Sequence, residues 1–212
     1  LKIDAATQAE LDHLLDDTEA LARGIHLMCE CSPRAFDRMQ AFGERLSSLL
    51  FTVALAQEWK ERTVKLLDVR KVMRTDGAYG KGAPQIATIA ELAKVHLPHL
   101  REENVCYVTQ GFIGQDELGH TTTLGRGGSD YSASLLGEAV RADIVEIWTD
   151  VDGIATTDPR LHKGARPIRD ISATEAAEMA VFGAKVLHPT TLTPAIRHDI
   201  PVFVGSSFEP EK

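Results

Sequence analysis

Forty consecutive residues, Thr121 to Arg160, constrain the fold of this chain more than any other part of it: TTTLGRGGSDYSASLLGEAVRADIVEIWTDVDGIATTDPR. They read as a glycine-rich turn, a helix, a strand and a second polar turn. Gly125, Gly127 and Gly128 carry no side chains, so the backbone can tighten there and present bare N–H groups. Ser129 and Asp130 are expected to open a helix running from Tyr131 to about Ala142, with Tyr131, Leu135, Ala139 and Ala142 at helical spacing. A glycine turn feeding a helix N-terminus suits an anion, because unpaired N–H groups and the helix dipole both point at it. Arg126, set among the glycines, adds a planar fork matched to a carboxylate or a phosphate. An ordinary strand–turn–helix connection explains the glycines alone, but not the glycines together with Arg126, Ser129 and Asp130.

The common phosphate-binding motifs are excluded in turn. The dinucleotide fingerprint requires Gly-x-Gly-x-x-Gly, and its last position is Asp130 here. No Gly-x-x-x-x-Gly-Lys-Ser/Thr string occurs, since Gly80-Lys81 is followed by Gly82. The triplets His-Arg-Asp and Asp-Phe-Gly of protein kinases are missing as well.

Along the chain, Leu11, Leu14, Leu15, Thr18, Ala22, Ile25 and Met28 form the stripe of an amphipathic helix. Ser32-Pro33 signals the start of a second helix, with Phe36, Met39, Leu46, Leu49, Leu50 and Val53 on one face. Gly43-Glu44 interrupts it, either as a break that sets Glu44 in a cleft or as a simple kink. Strands are expected at Thr63–Val69, Val105–Ile113, Ile144–Trp148 and Pro201–Val204, and helices at Ile86–Leu97 and Thr190–Arg197. Ser172-x-x-Glu175 is a capping box for a further helix reaching Phe182. Ile144–Trp148 is apolar enough to suggest burial on both faces of a parallel sheet. Thr149 and Asp150 follow at its carboxyl end, where open α/β sheets collect ligands. Arg70, Lys71 and Arg74 precede the loop 76–82 and Lys81 lies within it, four basic residues facing an anion or solvent. Phe112 reads equally as core or as a surface for a substrate. The alternation predicts an α/β fold, α/β/α in three layers around a mainly parallel sheet, with a helical N-terminal part over about 1–60.

At 43% hydrophobic and 25% charged, the composition is that of a globular domain. A formal net charge of −8, from 23 basic and 31 acidic residues, argues against a nucleic-acid surface but not against ATP. No apolar run is long enough for a membrane span, and no signal-peptide pattern opens the chain. Cys29, Cys31 and Cys106 suit reduced thiols in the cytoplasm rather than a disulfide framework, and no metal site is expected.

Five ordered stretches, TTTLGRGGSDYSA, IWTDVDGI, TTDPR, AAEMAVFGAKVLHP and IPVFVGSS, resemble the catalytic domain of aspartate kinase in the amino-acid kinase superfamily. The likeness is nearest to the single-function, lysine-sensitive bacterial type. It implies one catalytic domain over 1–212, truncated, with its nucleotide-binding half at about 120–207. It implies transfer of the ATP γ-phosphoryl group to the β-carboxylate of L-aspartate, with Mg²⁺ accompanying ATP and a homodimeric parent. Residue by residue, it assigns Lys185 and Asp130 to catalysis. Glu44, Phe112, Arg126, Gly127, Gly128 and Ser129 fall to the substrate, and Thr149, Asp150, Ala155, Arg160, Lys185 and Val186 to the nucleotide. His188 is expected to be structural. Relatives commonly carry an aromatic residue where this chain has Ala155, so adenine stacking is weaker or supplied elsewhere. The family's N-terminal Lys-x-Gly-Gly strand and C-terminal regulatory domains are not within these residues, and a piece of this extent is expected to have little or no kinase activity alone. A glutamate or acetylglutamate kinase, and a non-catalytic nucleotide or amino-acid sensor, are the alternatives.

Overall fold

The computed structural model of the chain describes residues 1–102, 104–151, 153–157, 162–181 and 191–210. They fall into two compact units, Leu1–Gly125 and Arg126–Lys212, which divide inside the glycine-rich turn.

In the first unit, α1 (Ala5–Met28) and α2 (Pro33–Glu58) are joined by a four-residue connection and pack on each other. Asp4 caps α1 by accepting from the Thr7 N–H, and Ser32 caps α2 by accepting from Ala35, with Pro33 at the first turn as expected. Leu11, Leu14, Phe42 and Leu49 are buried between the two helices. The buried face of α2 is rotated from the apolar stripe: Phe36 and Leu50 are exposed, while Asp37, Ser48 and Thr52 are buried. These polar side chains go inside because each has a partner there, so their burial leaves no lost hydrogen bond.

β1 (Thr63–Leu67) pairs in parallel with β2 (Val105–Thr109), from Thr63 opposite Val105 to Leu67 opposite Thr109. The segment expected as one strand to Ile113 divides after Thr109. β3 (Ile113–Gln115) instead pairs antiparallel with β4 (Thr121–Thr123). Buried Gln110 makes the division: its Oε1 accepts from the Val69 N–H at 2.8 Å and its Nε2 donates to Ser48 Oγ at 2.6 Å. Phe112 then turns the chain at φ +68°. β1 likewise stops at Leu67, where Asp68 caps a single 3₁₀ turn. α3 (Ile86–His96) completes this unit within a residue of its expected span.

In the second unit, α4 (Gly128–Val140) leads to β5 (Val145–Thr149), which pairs in parallel with β6 (Val202–Ser206). α5 (Ala173–Val181) begins at the predicted capping box, with the Glu175 N–H donating to Ser172 Oγ at 3.2 Å and the Ser172 N–H to Glu175 Oε2 at 3.0 Å. α6 is shorter than expected, Thr193–Ile196, with Pro194 in its first turn. β5 is not buried on both faces. Val145 and Ile147 enter a core with Leu192, Ala195 and Ile200, whereas Glu146 and Trp148 face outward. Trp148 meets Phe203 of β6, ring centroids 5.3 Å apart, and donates to Glu146, so the outer face is an aromatic pair with a polar edge. The described residues therefore form three two-stranded sheets, two parallel and one antiparallel, in an α/β arrangement.

Gly137 sets how closely α4 approaches β5: a Cβ there would lie 2.6 Å from Cγ2 of buried Val145. Valine is stiff at χ1 and has little room to yield. Gly137→Ala is expected to lose about 1–3 kcal/mol to overpacking, offset by about 1 kcal/mol of helix propensity. The thermal midpoint should fall by a few degrees; a rise would show that the contact relaxes freely.

Candidate functional site: an uncapped helix mouth

α4 starts at Gly128, three residues ahead of the expected start at Tyr131. Gly127 is the N-cap residue, at φ +71°, a conformation open to glycine at no steric cost. No side chain caps the helix, and the first turn closes through the Tyr131 N–H on the Gly127 carbonyl at 3.0 Å. Ser129 and Asp130 lie inside this turn, not ahead of it. The N–H groups of Gly128, Ser129 and Asp130 thus precede any intrahelical acceptor, the arrangement that receives anions. Ser132 steadies the turn by donating to the Gly128 carbonyl at 2.8 Å.

The charges at this mouth find no partner among the described residues. Arg126 and Ser129 are exposed; Asp130 is half-buried, and burial pushes its carboxyl above the usual carboxylate range. An acid in the first helical turn is favoured by the dipole, yet it would sit there as well fully hydrated. Holding it partly desolvated costs free energy that a cationic ligand or side chain offsets.

β5 returns antiparallel to α4, because Gly137 packs against Val145 at the start of the strand and Ala133, one turn earlier, packs on the cluster containing Ile147. The carboxyl end of β5 therefore lies at the same end of this unit as the helix mouth. Thr149 and Asp150 stand there. The Thr149 carbonyl accepts from Ser207 N–H and Oγ at 2.8 and 3.0 Å, and the Thr149 hydroxyl donates to exposed Asp150 at 3.2 Å. Ala155 is bridged to Pro167 and half-buried, presenting a methyl group and no ring. Arg160, Lys185, Val186 and His188 lie outside the described residues.

In the first unit, α2 runs without interruption through Gly43, around which a Cβ would meet open space. The glycine does not break the helix. Glu44 is nevertheless half-buried, its carboxyl is raised by desolvation alone, and no described residue pairs with it. Phe112 adopts φ +68°, a true outlier for an aromatic side chain. Such strain persists where surrounding structure imposes it: the Phe112 carbonyl accepts from the Leu124 N–H at 2.8 Å.

The chain matches the amino acid kinase family over residues 3–206. It belongs to that family. Among similar proteins, it is 53% identical to the lysine-sensitive aspartokinase 3 of Escherichia coli K12, over 95% of this chain and 44% of that protein. It is 43% identical to an aspartokinase of Chlamydia pneumoniae, over 86% of this chain and 40% of that protein. The crystal structure of E. coli aspartokinase III in complex with aspartate and ADP superposes with a TM-score of 0.89 at 51% identity, covering 99% of this chain and 46% of that one. The chain thus spans somewhat under half the length of the relatives it matches.

Two features of this amino acid kinase domain escape a reading by pattern. Asp37 sits in the interior of α2, off the expected apolar stripe, yet it is completely buried. Glu138, also buried, braces α4 to the end of α6 through Arg197 and His198, each at 3.2 Å. His198 Nε2 lies 3.2 Å from Glu138, and its Nδ1 lies 3.2 Å from the Arg141 guanidinium. No described helix is long and apolar enough to cross a membrane.

Proposed function

We propose that this chain is the catalytic portion of an aspartate kinase, joining the γ-phosphoryl group of ATP to the β-carboxylate of L-aspartate. The observation that carries the reading is the uncapped mouth of α4 with Arg126 and Asp130, which have no partner among the described residues, in a chain 53% identical to a lysine-sensitive aspartokinase. A carboxylate is already a nucleophile at neutral pH, so no general base is needed. Its oxygen forms a bond to the γ-phosphorus, the bond from that phosphorus to the β,γ-bridging oxygen breaks, and ADP leaves with the electron pair. Catalysis then rests on position and charge.

In this reading Arg126 grips the α-carboxylate of aspartate and Glu44 its α-ammonium, with Phe112 against the substrate. Ser129 and the N–H groups of Gly127 and Gly128 serve substrate and phosphate. Asp130 orients the lysines around the phosphates, and Lys185 offsets charge on the transferring and leaving groups. Thr149, Asp150, Ala155, Arg160 and Val186 surround the nucleotide. Magnesium belongs to the same reading as a companion of ATP, with phosphate and water oxygens as its main ligands. The ion would supply charge neutralisation. A cytoplasmic homodimer belongs to the same reading, supported by the family resemblance alone.

The test is an acceptor screen on the full-length protein, following ADP release with aspartate, glutamate and N-acetylglutamate. Aspartate should win by a wide margin; release that ignores the acceptor, or prefers another, refutes the proposal. Glu44 provides a second test. Its raised carboxyl binds a proton more tightly folded than unfolded, so its contribution to stability is full below the ordinary value of 4.5 and is lost as pH rises through the raised one. Glu44→Gln should therefore leave the thermal midpoint at neutral pH unchanged or higher. The same change should raise KM for aspartate about tenfold or more, the scale of a lost charged contact. A lower midpoint with unchanged KM would mark Glu44 as structural.

A further inference from the structure

Three basic residues precede the loop 76–82 and a fourth, Lys81, lies in it, and the structure separates them. Arg70 is committed to Asp68 and donates to Thr121 Oγ1 at 3.1 Å. Arg74 donates to the Asp116 carbonyl at 2.6 Å. Lys71 is exposed on the 3₁₀ turn. Lys81 alone stands against the glycine turn: its Cγ and Cα lie 3.6 and 3.8 Å from where a Cβ on Gly125 would be, and the Gly80 carbonyl lies 3.1 Å from that point. Gly125 is at φ +77° and directly precedes Arg126. The Lys81 ammonium has no acidic partner among the described residues.

What holds Lys81 there is the buried carboxylate of Asp37. Its two oxygens accept from the Gly80 N–H at 2.9 and 3.0 Å, from the Thr123 N–H at 2.8 Å and from the Thr123 hydroxyl at 3.0 Å. The Gly82 N–H donates to the Thr123 carbonyl at 2.7 Å. The Asp37 carboxylate thus ties the loop to β4 on one side of Lys81, and the backbone bond from Gly82 to Thr123 ties it on the other, three residues ahead of Arg126. A solvated loop has no use for a completely buried anion; a loop that must present one cation at a fixed place does.

We propose that Lys81 is a further binding residue for the acidic acceptor, and that Asp37 is the positioning residue that holds it over Gly125. The proposal rests on the functional reading above, and commits Lys81 to the carboxylate-bearing acceptor, not to the nucleotide.

Lys81→Met in the full-length protein is expected to raise both KM and calorimetric Kd for aspartate about tenfold, with KM for ATP within about twofold and an unchanged thermal midpoint. Lys81→Arg should recover most of the affinity. Thr123→Val keeps the backbone bond to Asp37 but removes the hydroxyl, and should move aspartate affinity the same way by a smaller factor, with Thr123→Ser recovering it. Unchanged aspartate affinity in Lys81→Met, or equal losses for aspartate and ATP, overturns the proposal. Wild-type protein that binds aspartate without turnover would sink the kinase reading, while Kd values still decide the role of Lys81. Wild-type protein that does not bind aspartate overturns both.

Discussion

Lys185→Ala is expected to lower kcat of the full-length protein by about 10²–10³-fold, the usual loss when one preorganised group facing developing charge is removed. Nucleotide Kd should change far less, because the contacts proposed for ground-state ATP with Thr149, Asp150 and the helix mouth would remain. The split follows from where charge moves. As the bond to the bridging oxygen breaks, negative charge grows on ADP, and an ammonium placed there stabilises the transition state more than the bound substrate. A nucleotide or amino-acid sensor has no such requirement: in a sensor the same substitution would weaken affinity and nothing else. Equal losses in kcat and nucleotide affinity would therefore remove Lys185 from the chemistry.

Arg126→Ala should cost about 1.5–3 kcal/mol in kcat/KM for aspartate, the range for losing hydrogen bonds to a charged group. KM for ATP should move little. The thermal midpoint should not fall, since Arg126 is exposed and has no partner among the described residues. Arg126→Lys is informative because it keeps the charge and loses the fork. If the guanidinium grips a carboxylate through two parallel hydrogen bonds, lysine restores only part of the loss. Full restoration by lysine would reduce Arg126 to a point charge; no effect of alanine would remove it from the site.

Features written in a few adjacent residues are legible in the sequence. The Ser172 to Glu175 box, the Ser32-Pro33 start and the glycines ahead of α4 depend on backbone groups within four positions, so spacing alone reveals them. Asp37 is not legible, because its partners Gly80 and Thr123 lie 43 and 86 positions away. The division of β2 from β3 stays hidden for the same reason: Gln110 reaches Val69 and Ser48, 41 and 62 positions distant. Glycine at position 43 misleads by its intrinsic helix cost, which the packing of α2 overrides. The alternation in β5 is visible in Glu146, but the apolar bulk of Trp148 obscures it, because the ring is covered by Phe203 of a strand more than fifty positions on. Within the candidate site, the family resemblance supplies roles for Glu44 and Lys185 that neither periodicity nor spacing assigns.

The central claim is that a carboxylate of aspartate becomes phosphorylated, and an acyl phosphate can be captured directly. Hydroxylamine added to full-length protein turning over ATP and aspartate should convert the product to an aspartyl β-hydroxamate, in step with ADP release and only when both substrates are present. ADP release without hydroxamate, or hydroxamate yields no greater with aspartate than without it, would contradict the account.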